Sequence, residues 1–136
     1  MSINKKIISL ALAMVLLCVL SCSSVMAYGN SRPGSVAGIS LTFSSYISQD
    51  LRSTNAVTSS GNGNVNAYVN AYFFYTDEST GISGSWHGYQ GNYGSASTGF
   101  VSTDAKFFYR VESNHSGSYN GETCSYSGLV TSITGN

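Results

Sequence analysis

The sequence predicts an all-β fold: a small antiparallel β-sandwich of about six or seven strands, built partly from two repeated hairpins, after an N-terminal signal peptide. Apolar and polar residues alternate over several short stretches, which is typical of strands with one buried face. Glycine, asparagine and serine separate these stretches, and no stretch beyond residue 27 has apolar residues at helical spacing. We therefore expect one small domain in which turns join short strands.

Residues 1–27 are predicted to be a signal peptide for export. Two lysines form a basic start, an apolar run extends from Ile7 to Leu20, and Val25-Met26-Ala27 resembles a cleavage site. The apolar run is shorter than the roughly 20 residues that a transmembrane helix requires. Cleavage would leave Tyr28 as the first residue, and we expect the protein to be secreted into the extracellular space.

A second interpretation of the same segment concerns Cys22. The preceding Val19-Leu20-Ser21 allows a lipoprotein signal, in which a lipid on Cys22 would anchor the protein at the cell surface. Without that lipid, membrane contact is expected only during export. Once residues 1–27 are removed, the remaining cysteine is Cys124, so no internal disulfide forms. Its thiol is either buried or reactive.

The charge balance argues against nucleic acid as a partner. The chain has 6 basic and 6 acidic residues, and its formal net charge is zero. Beyond residue 27 acidic residues outnumber the basic ones, which are Arg32, Arg52, Lys106 and Arg110. Binding to a phosphate backbone requires a clustered basic surface, which these scattered residues do not provide.

No motif in the sequence indicates catalysis or a cofactor. It contains no GxSxG, no HExxH, no phosphate-binding glycine loop and no EF-hand loop. The histidines, His87 and His115, lack further ligands at metal-binding spacing, and each is expected in a partly exposed strand or turn. We therefore expect a non-enzymatic protein with no catalytic residue, no cofactor and no metal site.

The β-sandwich domain is expected to span residues 37–136. Residues 28–36 contain the only proline of the chain and are predicted to form a flexible leader. Strict alternation from Ala37 to Ile47 predicts a first strand with one buried face. A weaker alternation from Leu51 to Ser59 predicts a second strand, in which Leu51 and Val57 share a face.

The most regular strand is predicted between Val65 and Tyr75, and its two faces differ in character. One face is expected in the core and consists of Val65, Ala67, Val69, Ala71, Phe73 and Tyr75. The opposite face combines amides, phenols and an apolar ring, and consists of Asn66, Tyr68, Asn70, Tyr72 and Phe74. Such a face can form hydrogen bonds while it presents apolar surface.

Three further strands follow. The segment from Ile82 to Tyr93 is rich in glycine, which predicts bulges or close backbone approach. A short strand is expected near Ala96 to Val101. The pair Asn120-Gly121 predicts a two-residue hairpin turn, because both residues accept positive φ, and a last strand from Glu122 to Ile133 pairs across it.

A sequence unit occurs twice. The segment AYFFYTDES at Ala71 to Ser79 returns as AKFFYRVES at Ala105 to Ser113, and SGSWHG at Ser83 to Gly88 returns as SGSYNG at Ser116 to Gly121. We interpret the copies as two similar hairpins. By analogy with the first copy, the second is expected to bury Ala105, Phe107, Tyr109 and Val111 and to expose Lys106, Phe108, Arg110 and Glu112.

The candidate ligand-binding surface is the aromatic sheet face. Rings on a flat sheet can stack on the apolar faces of sugars, and neighbouring amides can bind hydroxyl groups. The predicted ligand-binding residues are Asn66, Tyr68, Asn70, Tyr72, Phe74, Trp86, His87 and Tyr89. The alternative is structural, since aromatic residues favour strands and the same rings could cover a second layer or a dimer contact.

The paired FFY strands and the segment SNHSGSYNGETCSYS give the chain a family resemblance. It resembles uncharacterised small secreted β-rich proteins of Gram-positive bacteria, and it has a remote similarity to lactococcin-type bacteriocins. The resemblance implies secretion but no particular activity. Three functions are therefore kept: binding of a cell-surface glycan, protein or other polymer, a bacteriocin-like effector acting between bacteria, and a self-associating surface protein.

Overall fold

The computed structural model describes residues 28–134, so the predicted signal peptide lies outside the described residues. Within residues 28–134 the prediction of an all-β sandwich is confirmed, with eight strands rather than six or seven. They are β1 (Tyr28–Val36), β2 (Ile39–Ile47), β3 (Ser53–Ser60), β4 (Asn66–Asp77), β5 (Ser83–Tyr93), β6 (Ser95–Val101), β7 (Lys106–Tyr119) and β8 (Glu122–Ser132).

The strands form two four-stranded antiparallel sheets. The first sheet has the order β1-β2-β3-β6, and the second has the order β5-β4-β7-β8. The inner faces of β2 and β4 supply much of the core, as the alternation in both segments predicts. Buried side chains there include Leu41, Phe43 and Ile47 from β2 and Val69 and Phe73 from β4. The opposite face of each sheet is turned away from the core.

The segment predicted as a flexible leader is strand β1. It pairs with β2 along its whole length, and Val36 at its end is buried. The Asn30 side-chain amide donates to the carbonyl of Val130 in β8 at 2.9 Å, so β1 also touches the edge of the second sheet. Pro33 does not prevent this arrangement, because β1 is an edge strand and needs ladder hydrogen bonds on one side only.

Two tight turns contain consecutive residues with positive φ. Asn120 and Gly121 have φ values of 51° and 80°, as expected for the turn between β7 and β8. Ala37 and Gly38, between β1 and β2, have φ values of 47° and 75°. Alanine is poorly suited to this conformation, since its Cβ approaches the following carbonyl oxygen.

Ala37→Asn is therefore expected to raise the free energy of unfolding by about 0.5–1 kcal/mol, because asparagine adopts the left-handed conformation at lower cost. The backbone N–H of Ala37, which donates to the Glu122 carboxylate at 2.9 Å, is unchanged by the substitution. Urea denaturation at neutral pH measures the effect. Ser40→Asn, at an exposed extended position of β2, is the control and is expected to give no gain.

The second FFY strand has a different register from the one that the repeat predicts. Phe74 of β4 lies opposite Arg110, while the next residue, Tyr75, lies opposite Phe108, so Tyr109 is an extra residue in a β-bulge. Because of this extra residue, the alternate residues of β7 that face the core differ before and after the bulge. Phe108 is fully buried, so the prediction that Phe107 and Tyr109 face the core and Phe108 faces outward is wrong.

The two copies also differ after the FFY segment. The SGSWHG block lies in β5, whereas Ser116–Gly121 occupies the end of β7 and the turn after it. The copies therefore correspond in the central strands β4 and β7, and their second blocks occupy different elements of the second sheet.

A polar network lies between the sheets. His115 is only 2% exposed, although a partly exposed position was predicted for it. Its Nδ1 lies 2.9 Å from Thr58 Oγ1, and its Nε2 lies 2.8 Å from Ser113 Oγ. Burial lowers the pKa of His115 from 6.5 to about 4. Thr58 shares the inner face of β3 with Thr54 and Ala56, whereas Val57 between them lies on the other face.

Candidate functional site

The candidate site is the outer face of β4 and β5 in the second sheet. We call it the aromatic surface and define it as Asn66, Tyr68, Asn70, Tyr72, Phe74, His87, Tyr89 and Tyr93. Four phenol side chains are substantially exposed: Tyr68 by 42%, Tyr72 by 43%, Tyr89 by 67% and Tyr93 by 70%. Strict alternation in β4 places Val69, Ala71 and Phe73 in the core, so Tyr68 and Tyr72 point the other way. Tyr89 and Tyr93 lie opposite Asn70 and Asn66, so they share that outer face.

His87 is held between neighbours on this surface. Its ring stacks on that of Tyr72, the cross-strand partner, with centroids 4.5 Å apart and planes at 19°. Its Nε2 lies 2.5 Å from Asn70 Oδ1, and since an amide oxygen only accepts, Nε2–H is the donor. The imidazole therefore keeps Nδ1 as its acceptor when neutral. Tyr89 continues the row, with its ring centroid 5.9 Å from that of His87.

Tyr68 extends over a glycine in the neighbouring strand. It pairs with Gly91, and a Cβ at Gly91 would lie 3.6 Å from Tyr68 Cδ2. The missing side chain leaves room for the ring between Tyr89 and Tyr93 on β5. Residues four apart on one face of a strand are separated by about 13 Å. The three rings therefore line an extended stretch of surface.

The charges next to the aromatic surface neutralise each other. Arg110 and Glu112 of β7 lie opposite Phe74 and Tyr72, and the Arg110 guanidinium is 2.6 Å from the Glu112 carboxylate. Further along β7, Asn114 lies opposite Asn70 and accepts a hydrogen bond from the backbone N–H of Gly128 at 2.9 Å. The surroundings of the aromatic surface thus offer paired charges and amide groups.

Trp86 does not belong to this surface, although it was predicted to bind ligand. It lies opposite Phe73, on the inner face of β5, and its ring packs 5.0 Å from that of Phe100 and 5.5 Å from that of Phe108. The remaining predicted ligand-binding residues lie together on the outer face. Phe74 is half-buried there, with its ring centroid 6.4 Å from that of Tyr109.

The sequence-based prediction omitted Tyr93, the most exposed of these tyrosines. It shares a face with His87 and Tyr89, because the three residues alternate along β5. The same alternation excludes Trp86. Gly88 and Gly91 interrupt this part of β5. The alternation of outward-facing side chains is therefore visible only when His87 is counted together with the tyrosines.

A separate ionic cluster lies where β4 ends and β7 begins. Lys106 Nζ is 2.5 Å from Asp104 Oδ2 and 3.8 Å from Asp77 Oδ2. Hydrogen bonds from Lys106 and from the Ser102 hydroxyl lower the pKa of Asp104 to about 2.

Within residues 28–134 no group of three or more histidine, cysteine or acidic side chains is arranged to hold a metal ion. The same residues contain no helix that is long and apolar enough to span a membrane.

The fold and this surface define an antiparallel β-sandwich with an exposed, locally neutral aromatic face on one sheet. The sequence matches no protein-family model, and comparison with curated proteins and with solved structures finds no match.

Proposed function

We propose that this protein is a secreted, non-enzymatic binding protein whose aromatic surface binds a neutral glycan at a cell surface or in an extracellular polymer. The observation that carries this proposal is the exposure of Tyr68, Tyr72, Tyr89 and Tyr93 on one face of the second sheet. The basic start, apolar run and cleavage pattern of residues 1–27 support export.

The chemistry of the surface favours sugar over other ligands. A pyranose ring has apolar C–H faces and a rim of hydroxyl groups, and tyrosine offers an apolar ring with a polar tip. Asn66 and the His87–Asn70 pair supply amide and imidazole groups beside the rings. The neighbouring Arg110 and Glu112 are paired with each other, which disfavours a strongly charged ligand.

Tyr89→Ala and Tyr72→Ala are expected to weaken binding to an insoluble polysaccharide at least tenfold each, or about 1.4 kcal/mol. The reason is that each variant removes an exposed ring that would be covered by the ligand. Co-sedimentation of the purified protein with cellulose, chitin and insoluble β-1,3-glucan, which are all neutral, measures the bound fraction as a function of polymer concentration.

Tyr46→Ala provides the matched control for these variants. Tyr46 is a tyrosine of similar exposure, 38%, but it lies on β2 in the first sheet. It is expected to leave binding unchanged. The proposal fails if the wild-type protein binds none of the three polymers, or if Tyr46→Ala weakens binding as much as Tyr89→Ala does.

A further inference from the structure

We propose that the protein forms a two-fold symmetric dimer in which the edge of β5 pairs antiparallel with β5 of a second copy. This inference concerns assembly, and it does not depend on which ligand the aromatic surface binds. Its basis is that β5 is a long edge strand without charged residues or proline, whereas the other three sheet edges are protected.

Strand β5 lies at the edge of the second sheet and is hydrogen-bonded to β4 on one side. It has 11 residues, and in residues 28–134 no other strand pairs with its second side. Strand β6 contacts the inner face of β5 instead of this edge, through Phe100 beside Trp86 and Thr98 beneath Gly88. One of its main-chain groups, the Gly91 carbonyl, accepts from the Gln90 side-chain amide at 3.1 Å, and the remaining row of N–H and C=O groups on a strand of this length is a template for another strand.

The composition of β5 contains none of the usual devices against such pairing. Its sequence, SGSWHGYQGNY, has no lysine, arginine, aspartate, glutamate or proline. Natural edge strands are commonly protected by charge, by proline, by shortness or by cover from another element. Pairing with an identical strand would place any charge near the same charge of its copy, so the absence of charge favours this partner in particular.

The other three edges are protected. β1 contains Arg32 and Pro33, and β6 has only 7 residues. β8 carries Glu122 at its start, it is interrupted by a β-bulge against β7 where Gly128 has a φ of 72°, and its carbonyl at Val130 accepts a hydrogen bond from Asn30 of β1. β5 is therefore the edge of the described fold that is both long and open.

The dimer closes on itself. A two-fold axis uses the same edge on both copies, so neither β5 edge remains for a third molecule. The two second sheets become one continuous sheet, with the β5 strands about 4.8 Å apart at its centre. The outward rings Tyr89 and Tyr93 of both copies then lie along the seam, and the two aromatic surfaces form one larger surface.

Sedimentation velocity of the purified protein across a wide concentration range tests this proposal. The wild-type protein is expected to change from monomer to dimer as concentration rises, with no larger species. Gln90→Lys adds an exposed lysine near the middle of β5, on the face opposite to the aromatic surface. It is expected to raise the dimer dissociation constant at least tenfold, because it brings two like charges to the interface.

Ser125→Lys is the matched control, since it adds the same charge at an exposed position of β8, the opposite edge of the second sheet. It is expected to leave the dissociation constant unchanged. Hydrogen exchange should show slower exchange of β5 amides at high concentration than at low concentration in the wild-type and Ser125→Lys proteins only. A protein that stays monomeric at all concentrations overturns the proposal, as does a dimer that Gln90→Lys leaves intact or that gives β5 no protection.

Discussion

Phe108→Ala is expected to lower the free energy of unfolding by about 3–5 kcal/mol, whereas Phe107→Ala should lower it by only about 1–2 kcal/mol. Phe108 is fully buried and packs against Trp86 and Tyr75, with ring centroids 5.5 Å and 6.4 Å away. Its removal leaves a cavity in the core. Phe107 is half-buried, and the Arg52 guanidinium lies 4.7 Å from its ring centroid.

This pair of variants tests the β-bulge directly, because simple alternation by analogy with the first FFY copy predicts the opposite order. Urea unfolding of both proteins gives the comparison. If Phe108→Ala leaves too little folded protein, Phe108→Leu and Phe107→Leu should keep the same order with smaller losses. Equal losses, or a larger loss at Phe107, would contradict the register of β7 against β4.

The alternation in β4 allows its two faces to be predicted from sequence. Ala67, Val69, Ala71 and Phe73 are apolar and fully buried, while Tyr68 and Tyr72 between them are exposed. Because one face of β4 is uniformly apolar, a shift of the strand register by one residue would move all of these apolar side chains into solvent. The aromatic surface on β4 follows from this register. The turn at Asn120-Gly121 is similarly predictable, because few residue pairs accept positive φ at both positions.

The faces of β3 and β7 could not be predicted in the same way. β3 buries Thr54 and Thr58, whose hydroxyl groups donate to main-chain carbonyls inside the sandwich. A prediction from side-chain polarity therefore places the wrong face of β3 in the core. In β7 the bulge at Tyr109 has no local sequence signature among neighbouring aromatic residues. Partners that are distant in sequence determine both features.

Trp86 and Tyr28–Val36 illustrate the remaining differences. Trp86 lies in a glycine-rich strand, where the inward positions on either side of it, Gly84 and Gly88, carry no side chain to mark the buried face. The position of its ring depends on Phe100 and Phe108, which belong to other strands. β1 contains glycine, serine and proline, which resemble a loop in sequence, but pairing with the well-defined β2 stabilises it as a strand. In both cases tertiary contacts override the local signal.

The second large expected effect is a loss of stability in mild acid that depends on His115. Thr58 Oγ1 donates to the carbonyl of Tyr68 at 2.8 Å, so its oxygen accepts from His115 Nδ1–H. The Ser113 hydroxyl lies 2.8 Å from Nε2 but 3.4 Å from the carbonyl of Leu129, so its proton is shared mainly with Nε2, which is the unprotonated nitrogen and accepts from it. Burial among hydroxyl groups and the Phe43 ring favours this neutral form, which is why the pKa of His115 falls to about 4.

The direction of the pH dependence follows from that shift. In the unfolded chain His115 binds a proton near its ordinary pKa of 6.5, whereas the folded protein binds it only near 4. The contribution to stability is therefore fully present above pH 6.5 and is lost as the pH falls from 6.5 towards 4. We expect the free energy of unfolding to decrease by about 2 kcal/mol between pH 7 and pH 4.5.

Urea unfolding at pH values from 7 to 4.5 measures this loss in the wild-type protein, in His115→Gln and in His87→Gln. His87 is exposed on the aromatic surface, so His87→Gln should retain the wild-type pH dependence. His115→Gln should be less stable at pH 7 but lose much less stability on acidification. The carboxylates with lowered pKa, Asp50, Asp77 and Asp104, act mainly at lower pH, because their pKa values lie below 3.8. Parallel pH curves for wild type and His115→Gln would show that His115 is not the group responsible.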